Sequence, residues 1–293
     1  MAATLPRPAR LRLEQTLAQW RQWDCAPPLR SAPVLKAVLS DGHSNFSVLV
    51  GGQQRFVVRI DDINPAANGL SRQGEWRCLQ VAHKAGLAPR PRYFNPELGS
   101  LVCDYLPPDE HQPASVTDIA GLLRGIHRLP PRHQRLDLTE RILSYQKQLE
   151  HQERALAGEL APYREPVLAA LAAATEQAQP TVLCHHDLLR ANRIYSSGKL
   201  WAIDWEYCAM GSPWYDLAVV VAGDELDGDT SARLLEAYLQ RPATEQERRL
   251  VAAYCCTYRY LEILWYLVLD HPRLKPAALR DKLARLARVL DRN

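Results

Sequence analysis

The 293-residue chain has no CxxC pair, no strong excess of either charge and no long apolar run. Its seven cysteines are Cys25, Cys78, Cys103, Cys184, Cys208, Cys255 and Cys256, with mostly apolar neighbours. An odd count without CxxC excludes a disulfide framework and a zinc ribbon, and reads as small buried thiols in a reducing compartment. Lys and Arg number 36 against 33 Asp and Glu, a net charge of +3. So small a surplus is no footprint for nucleic acid. The most apolar run, Tyr260 to Leu269, is interrupted by Glu262. It falls far short of the roughly 20 residues that span a bilayer. The first residues lack the apolar core of a secretion signal. Internal repeats and low-complexity linkers are absent too. The expectation is a soluble, cytoplasmic protein with no nucleic-acid or membrane partner; the oligomeric state leaves no trace in the sequence. What remains is ordinary for a globular chain, 47% hydrophobic and 24% charged.

The period of the apolar residues changes along the chain. Leu13, Leu17 and Trp20 recur at helical spacing, so a helix is expected within the first 23 residues. Val34 to Leu39, Phe46 to Val50 and Arg55 to Ile60 then read as a meander of three antiparallel strands. A helix is expected over Leu70 to Ala85, with Gly86 as its cap. Two more strands follow, Arg92 to Phe94 and Ser100 to Tyr105. After Pro107-Pro108 helices dominate: Val116 to Arg128, Leu138 to Leu160 and Pro166 to Gln177. Thr181 to Asp187 reads as a strand entering a loop, and Asn192 to Asp204 as a hairpin. The rest is helical, ending in Glu245 to Leu269 and Pro276 to Leu290. The pattern predicts an α+β chain with a β-rich lobe over 1–103 and a larger helical lobe over 104–293. Clefts between such halves favour ligands.

The chemically informative stretch is His185-His-Asp-Leu-Leu-Arg-Ala-Asn192, followed by Ile203-Asp-Trp-Glu-Tyr207. Asp187 and Asn192 stand at the H-x-D-x-x-x-x-N spacing of a phosphoryl-transfer loop, and Asp204 lies twelve residues further on. A loop leaving a strand can aim one carboxylate at an attacking hydroxyl. It can then turn an amide oxygen toward a magnesium ion, and the hairpin can return a second carboxylate. Magnesium takes hard oxygen ligands, few of them from the protein. Asn192 and Asp204 would supply one each.

On these motifs the chain resembles the choline/ethanolamine kinase and aminoglycoside phosphotransferase family, which has the protein-kinase-like bilobal fold. Bacterial choline kinases and thiamine kinase look most alike, and the resemblance runs from about Val34 to Trp265. The family pattern usually has Gly between the His and the Asp, where this chain has His186. The resemblance implies that Asp187 is the catalytic base, that Asn192 and Asp204 hold magnesium, and that His185 props the loop. Phe56-Val-Val-Arg-Ile60 resembles the strand carrying the phosphate-binding cation, here Arg59, and Glu75 is its natural ion-pair partner. Arg59 would grip the α- and β-phosphates of ATP through two donors. Ser40-Asp-Gly-His-Ser-Asn45 stands where a phosphate-covering loop is expected, so the backbone amides of Gly42, His43, Ser44 and Asn45 are candidates for cradling phosphates. Leu101 to Pro107 resembles the interlobe hinge, whose backbone at Asp104 and Leu106 would meet adenine. Asp216, in Pro213-Trp-Tyr-Asp216, matches a later aspartate that supports the catalytic loop.

Only eleven residues separate Asp204 from Asp216, and no A-P-E sequence follows. A peptide acceptor needs a longer segment, so the acceptor is expected to be a small alcohol. The late helix holds Tyr254, Tyr258, Tyr260, Trp265 and Tyr266, with Glu262 among them. Such rings with a carboxylate can box an ammonium or thiazolium. Trp265 and Glu262 are the candidates for the acceptor, with Asp187. Glu206 reads either as a carboxylate near metal and acceptor or as a structural hydrogen-bond acceptor. Asp224, Glu225 and Asp227 read as a solvated acidic loop. Arg280, Lys282, Arg285 and Arg288 read as solvated cations on a terminal helix packed by its leucines. The expected function is ATP- and magnesium-dependent phosphorylation of a small cationic alcohol such as choline, ethanolamine or thiamine. The alternatives are an aminoglycoside acceptor, or a nucleotide-binding scaffold without catalysis.

Overall fold

The structure is a computed structural model, and it describes residues 5–41, 45–62, 69–109, 114–177, 180–269 and 275–290. The chain forms two compact units. One comprises Met1–Pro113 with Ile194–Cys208, the other Ala114–Arg193 with Ala209–Asn293. The first unit is therefore not one stretch of chain: a later hairpin, with Asp204 and Glu206, groups with the N-terminal sheet.

In the first unit, helix α1 (Arg7–Ala18) precedes strands β1 (Val34–Asp41), β2 (Asn45–Gly51) and β3 (Arg55–Asp61). Helix α2 (Arg72–Lys84) and strands β4 (Pro91–Asn95) and β5 (Ser100–Asp104) follow. The five strands form one sheet in the order β1-β2-β3-β5-β4, antiparallel throughout. Strand period explains its core. Val48 and Val50, then Phe56, Val58 and Ile60, alternate onto one face and are fully buried with Val102. Ala9, Leu13 and Trp23 cover that face. Ser71 starts α2 by accepting from the Gly74 N–H. Gly86, at φ 70°, follows its end, as a left-handed residue there requires. Strands β6 (Val182–Cys184), β7 (Arg193–Ser196) and β8 (Lys199–Ala202) come later in the chain, and β7 and β8 form the hairpin.

The second unit holds β6, paired antiparallel with β9 (Ala209–Gly211), and seven helices among the described residues. These are α3 (Val116–His127), α4 (Leu138–Gln152), α5 (Arg154–Thr175), α6 (Pro213–Gly223), α7 (Gly228–Leu239), α8 (Glu245–Leu269) and α9 (Pro276–Leu290). Helix α8 is the centre, packed against α4, α5, α6 and α9. Ser115 and Asp118 cap α3 reciprocally, and Ser212 with Pro213 opens α6. The expected break between Leu160 and Pro166 is not where the chain turns. It turns at Glu153, and α5 continues through Pro162 and Pro166. Buried Leu160, Val167 and Leu171 hold that helix by packing where prolines remove backbone donors. Among the described residues no helix is long and apolar enough to cross a membrane. All seven cysteines are free, five of them buried.

Candidate active site

In the first unit, the charged side chains gather around Arg59. Residues two apart on a strand share a face, so β3 presents Arg59 and Asp61 together. Residues three apart on a helix do the same, so α2 presents Arg72 and Glu75. Arg59 grips Glu75 with both terminal nitrogens; the Nη2–Oε2 bond is 2.6 Å. Arg59 Nη1 also donates to Asp204 Oδ1 at 3.1 Å. Arg72 is the hub of the cluster. It donates to Asp61 at 3.0 Å, Glu75 at 3.0 Å, Glu206 at 2.9 Å and the Asn45 amide oxygen at 3.0 Å. Asn45 closes the ring by donating to Glu206 at 2.9 Å.

Asp61, Glu75 and Glu206 are buried with both guanidinium groups, whereas the Asp204 side chain stays 32% exposed. Burial opposes the charge of Arg59, but Glu75, Asp204 and Glu206 hold it well above its ordinary value. Glu75 shows the reverse balance: burial opposes its charge, and Arg59 and Arg72 pull it below the ordinary carboxylate range. Partial burial first, and the Glu206 carboxylate second, push Asp204 up to about 7 against the pull of Arg59. Four carboxylates face two guanidinium groups, so full ionisation leaves two negative charges in excess. A divalent cation with a taste for oxygen suits that excess, and Asp204 is the carboxylate open enough to take it. The donor set therefore fits magnesium.

In the second unit, the loop after β6 is pinned at two places by α6. Near the start of that helix, the fully buried Asp216 accepts from His185 N at 2.8 Å and His186 N at 2.7 Å. His127 Nε2 meets the same carboxylate at 3.1 Å. Burial opposes the Asp216 charge, yet the His127 hydrogen bond and the nearby imidazoles hold it down at about 2. Just past the other end, Asp224 accepts from Arg190 N at 2.9 Å and pairs with the Arg193 guanidinium. The eight-residue spacing spans about 12 Å of helix, so α6 acts as a ruler for the loop.

Between those anchors, Asn192 Nδ2 donates to the Asp187 carbonyl at 2.8 Å and to Asp187 Oδ2 at 2.7 Å. The amide nitrogen is thereby spent and the amide oxygen remains as a hard ligand. His186 stands at φ 63°, a left-handed backbone that glycine takes without strain. This is the position where the family pattern usually has glycine. The His186 ring is buried, tilted against Tyr215 at 5.7 Å, and a methyl on Gly211 would run into it.

Helix α8 lies beside this loop through its aromatic face. Burial, followed by Glu262, Asp187 and Tyr215, raises the Tyr258 hydroxyl well above its ordinary value. A side chain on Gly223 would collide with Leu189 of the loop and crowd the Tyr258 hydroxyl, so α6, α8 and the loop approach through glycine. Trp265 is half-buried with its ring edge-on to Tyr266 at 5.1 Å, and Glu262 accepts from Lys282 Nζ at 2.6 Å.

The candidates thus divide between the units. Arg59, Glu75, Asn45, Asp204 and Glu206 meet in the first; Asp187 and Asn192 meet in the second, with Glu262 and Trp265 on α8. Gly42, His43 and Ser44 lie outside the described residues. At the expected hinge, Asp104 N donates to Arg90 O at 2.9 Å, and its carboxylate holds Arg92 at 2.6 and 2.9 Å. Glu206 is shielded by Asn45 and Arg72. Arg72 and Asp61 join the site without a motif to mark them. The signals that could have found them are local: Asp61 shares a strand face with Arg59, and Arg72 a helix face with Glu75. Asp224 and Glu225 are no solvated run, since Arg193 and Arg285 pair with them.

Residues 37–254 match the model of the phosphotransferase enzyme family, APH. Protein LicA of Haemophilus influenzae is 28% identical over 87 residues, 29% of this chain and 33% of that protein. The match thus spans about a third of that relative's length. The choline kinase LicA from Streptococcus pneumoniae has the same fold, with TM-score 0.73 and 21% identity over 88% of this chain and 94% of that one. The ADP-bound aminoglycoside phosphotransferase APH(2'')-Ib superposes with TM-score 0.65 and 15% identity over 95% of this chain and 97% of that one. The α+β, protein-kinase-like bilobal fold expected from the sequence is the fold found.

Proposed function

The chain belongs to the phosphotransferase enzyme family, and from that premise we propose that it phosphorylates the hydroxyl of a small cationic alcohol. Choline, ethanolamine or thiamine would be the acceptor, with ATP as donor and magnesium as cofactor. The observation that carries this reading is a pair of carboxylates in the second unit: Asn192 fixes the loop carboxylate Asp187 at 2.7 Å, and the α8 carboxylate Glu262 stands with the Tyr266 ring around an ammonium group, that of Lys282. A hydroxyl offered to the first and a cation held near the second describe an amino alcohol. The name of the pneumococcal relative, a choline kinase, supports the same class.

In this reading Asp187 accepts the hydroxyl proton as the oxygen attacks the γ-phosphorus. Asn192 fixes the Asp187 carboxylate by its hydrogen bond. Arg59, held rigid by Glu75, grips the donor's phosphates. Asn192 and Asp204 would hold magnesium, which supplies charge neutralisation for the phosphate oxygens. Backbone amides of Gly42, His43, Ser44 and Asn45 would cover those phosphates, and the backbone near Asp104 and Leu106 would take adenine. Trp265 and Glu262 would face the acceptor's cation. Glu206 ties Asn45 and Arg72 to the segment that carries Asp204.

The test is an ADP-release screen over choline, ethanolamine, thiamine, aminoglycosides and sugars. Turnover with a cationic alcohol is expected, abolished by Asp187→Ala or Asp204→Ala in chains that stay folded. Full activity in either variant refutes the assignment. Turnover with aminoglycosides alone would replace the acceptor, and ATP binding without transfer would leave a scaffold.

A further inference from the structure

The terminal helix carries a feature that a merely solvated basic face does not explain. Lys282 on α9 reaches Glu262 on α8, with Nζ 2.6 Å from Oε1. The same ammonium lies 4.9 Å from the centroid of the Tyr266 ring. A carboxylate and an aromatic face are the two components that hold an ammonium ion. The chain's own lysine thus fills a cation site built from α8. Glu262 is also one of the carboxylates that act on Tyr258, alongside Asp187. A cavity opens here, lined among others by Gly223, Arg259, Glu262, Lys282 and Arg285.

Of the two α9 cations in this cavity, Lys282 is the one suited to leave. Arg285 is held by two carboxylates, Glu225 and Asp281. Among the described residues Lys282 has one carboxylate partner, and it has a flexible stem and a side chain 24% exposed. Solvent can receive its charge at little cost. We propose that Lys282 is an internal stand-in for the acceptor's cation, and that a cationic alcohol enters by displacing its ammonium from Glu262 and Tyr266. The lysine is then a specificity-determining residue. A cation can replace it on Glu262, whereas a neutral hydroxyl compound has no charge with which to do so. This inference rests on the cationic-alcohol reading.

The test compares Lys282→Met and Lys282→Arg with the parent. Lys282→Met keeps the length and removes the competitor, so the acceptor KM is expected to fall about three- to tenfold relative to the KM for ATP. Lys282→Arg keeps a cation and is expected to retain the parent KM or exceed it. An acceptor KM unchanged or raised in Lys282→Met overturns the proposal. Should Lys282→Met fail to fold, the parent protein decides. Saturating choline should raise acylation of the Lys282 amine, read by peptide mass spectrometry, and unchanged or reduced labelling overturns the proposal. If the parent turns over no cationic alcohol, the acceptor reading falls and the inference with it. If it turns one over and the Lys282→Met KM does not fall, the inference alone falls.

Discussion

Replacing Asp216 by Asn changes one oxygen to an amide nitrogen of nearly the same size and removes a charge. In the parent, that carboxylate accepts from two consecutive backbone N–H groups and from His127, all within 3.1 Å. An amide retains one acceptor and turns a donor toward at least one of these donors. Losing a hydrogen bond to a charged group costs about 1.5–3 kcal/mol, and a buried donor left without a partner costs about 1–3 kcal/mol more. We expect a net loss near 4 kcal/mol. At this size about 2 °C of Tm corresponds to each kcal/mol, so the midpoint should fall by roughly 8 °C. The pH dependence gives a sharper check. The folded Asp216 carboxyl is held down at about 2, below its ordinary 3.8. Its stabilising effect is therefore fully present above about pH 4–5 and is lost as the pH falls toward 2, an effect of about 2 kcal/mol. The stability gap between parent and variant, measured by urea unfolding, should hold from pH 7 to 5 and narrow below 4. At neutral pH and 15 °C, where the variant stays folded, kcat should drop about a hundredfold, because the loop bearing Asp187 loses its anchor. A variant with the parent's Tm and kcat, or a gap indifferent to pH, would refute the reasoning.

Other expectations follow from the same contacts. Arg72→Met takes a cation from three buried carboxylates, of which Asp61 loses its ion-pair partner, and should cost about 3–5 kcal/mol, whereas Arg92→Met, whose partner Asp104 is 31% exposed, should cost about 1 kcal/mol or less; equal losses in denaturant melts would sink the distinction. Gly211→Ala should destabilise by about 1–3 kcal/mol through its clash with the His186 ring, and His186→Gly in the same chain should recover much of that; strictly additive losses would show that the two do not meet. Asp187→Asn should lower kcat by about 10²–10⁴ with an unchanged melt, and a change confined to KM would remove the base assignment.

What the sequence disclosed, and what it hid, divides by the range of the interactions. The strands were legible because Val48, Val50, Phe56, Val58 and Ile60 alternate, and alternation is a local signal. The loop was legible because Asp187 and Asn192 lie within one turn of chain. Arg59 and Glu75 were legible from spacing and resemblance together. Arg72 was less so: its helix face shared with Glu75 is a local signal, but its other partners come from β2, β3 and the segment after β8, and no short window contains them. The path of α5 through Pro162 and Pro166 was hidden for a related reason. Local chemistry argues against a helix there, and packing of Leu160 and Val167 overrides it.

The acidic run around Asp224 differs in the fold from its local appearance. Read locally, Asp224, Glu225 and Asp227 are charges after a helix, and water is the default partner for such groups. In the fold each has a specific one: Arg193, Arg285 and the Thr230 N–H. Asp216, eight residues before Asp224, performs the same kind of task at the other end of α6. Neither position touches a reacting atom, yet together they set where Asp187 can be. The spacing between two aspartates on a rigid helix becomes the spacing between two fixed points of a loop. A glycine at position 186 would relax the backbone between those points, and this chain instead holds a histidine at φ 63°, its ring enclosed by Tyr215 and Gly211. The side-chain packing therefore carries a conformation that the backbone alone would resist, which is why Gly211 has to be as small as it is.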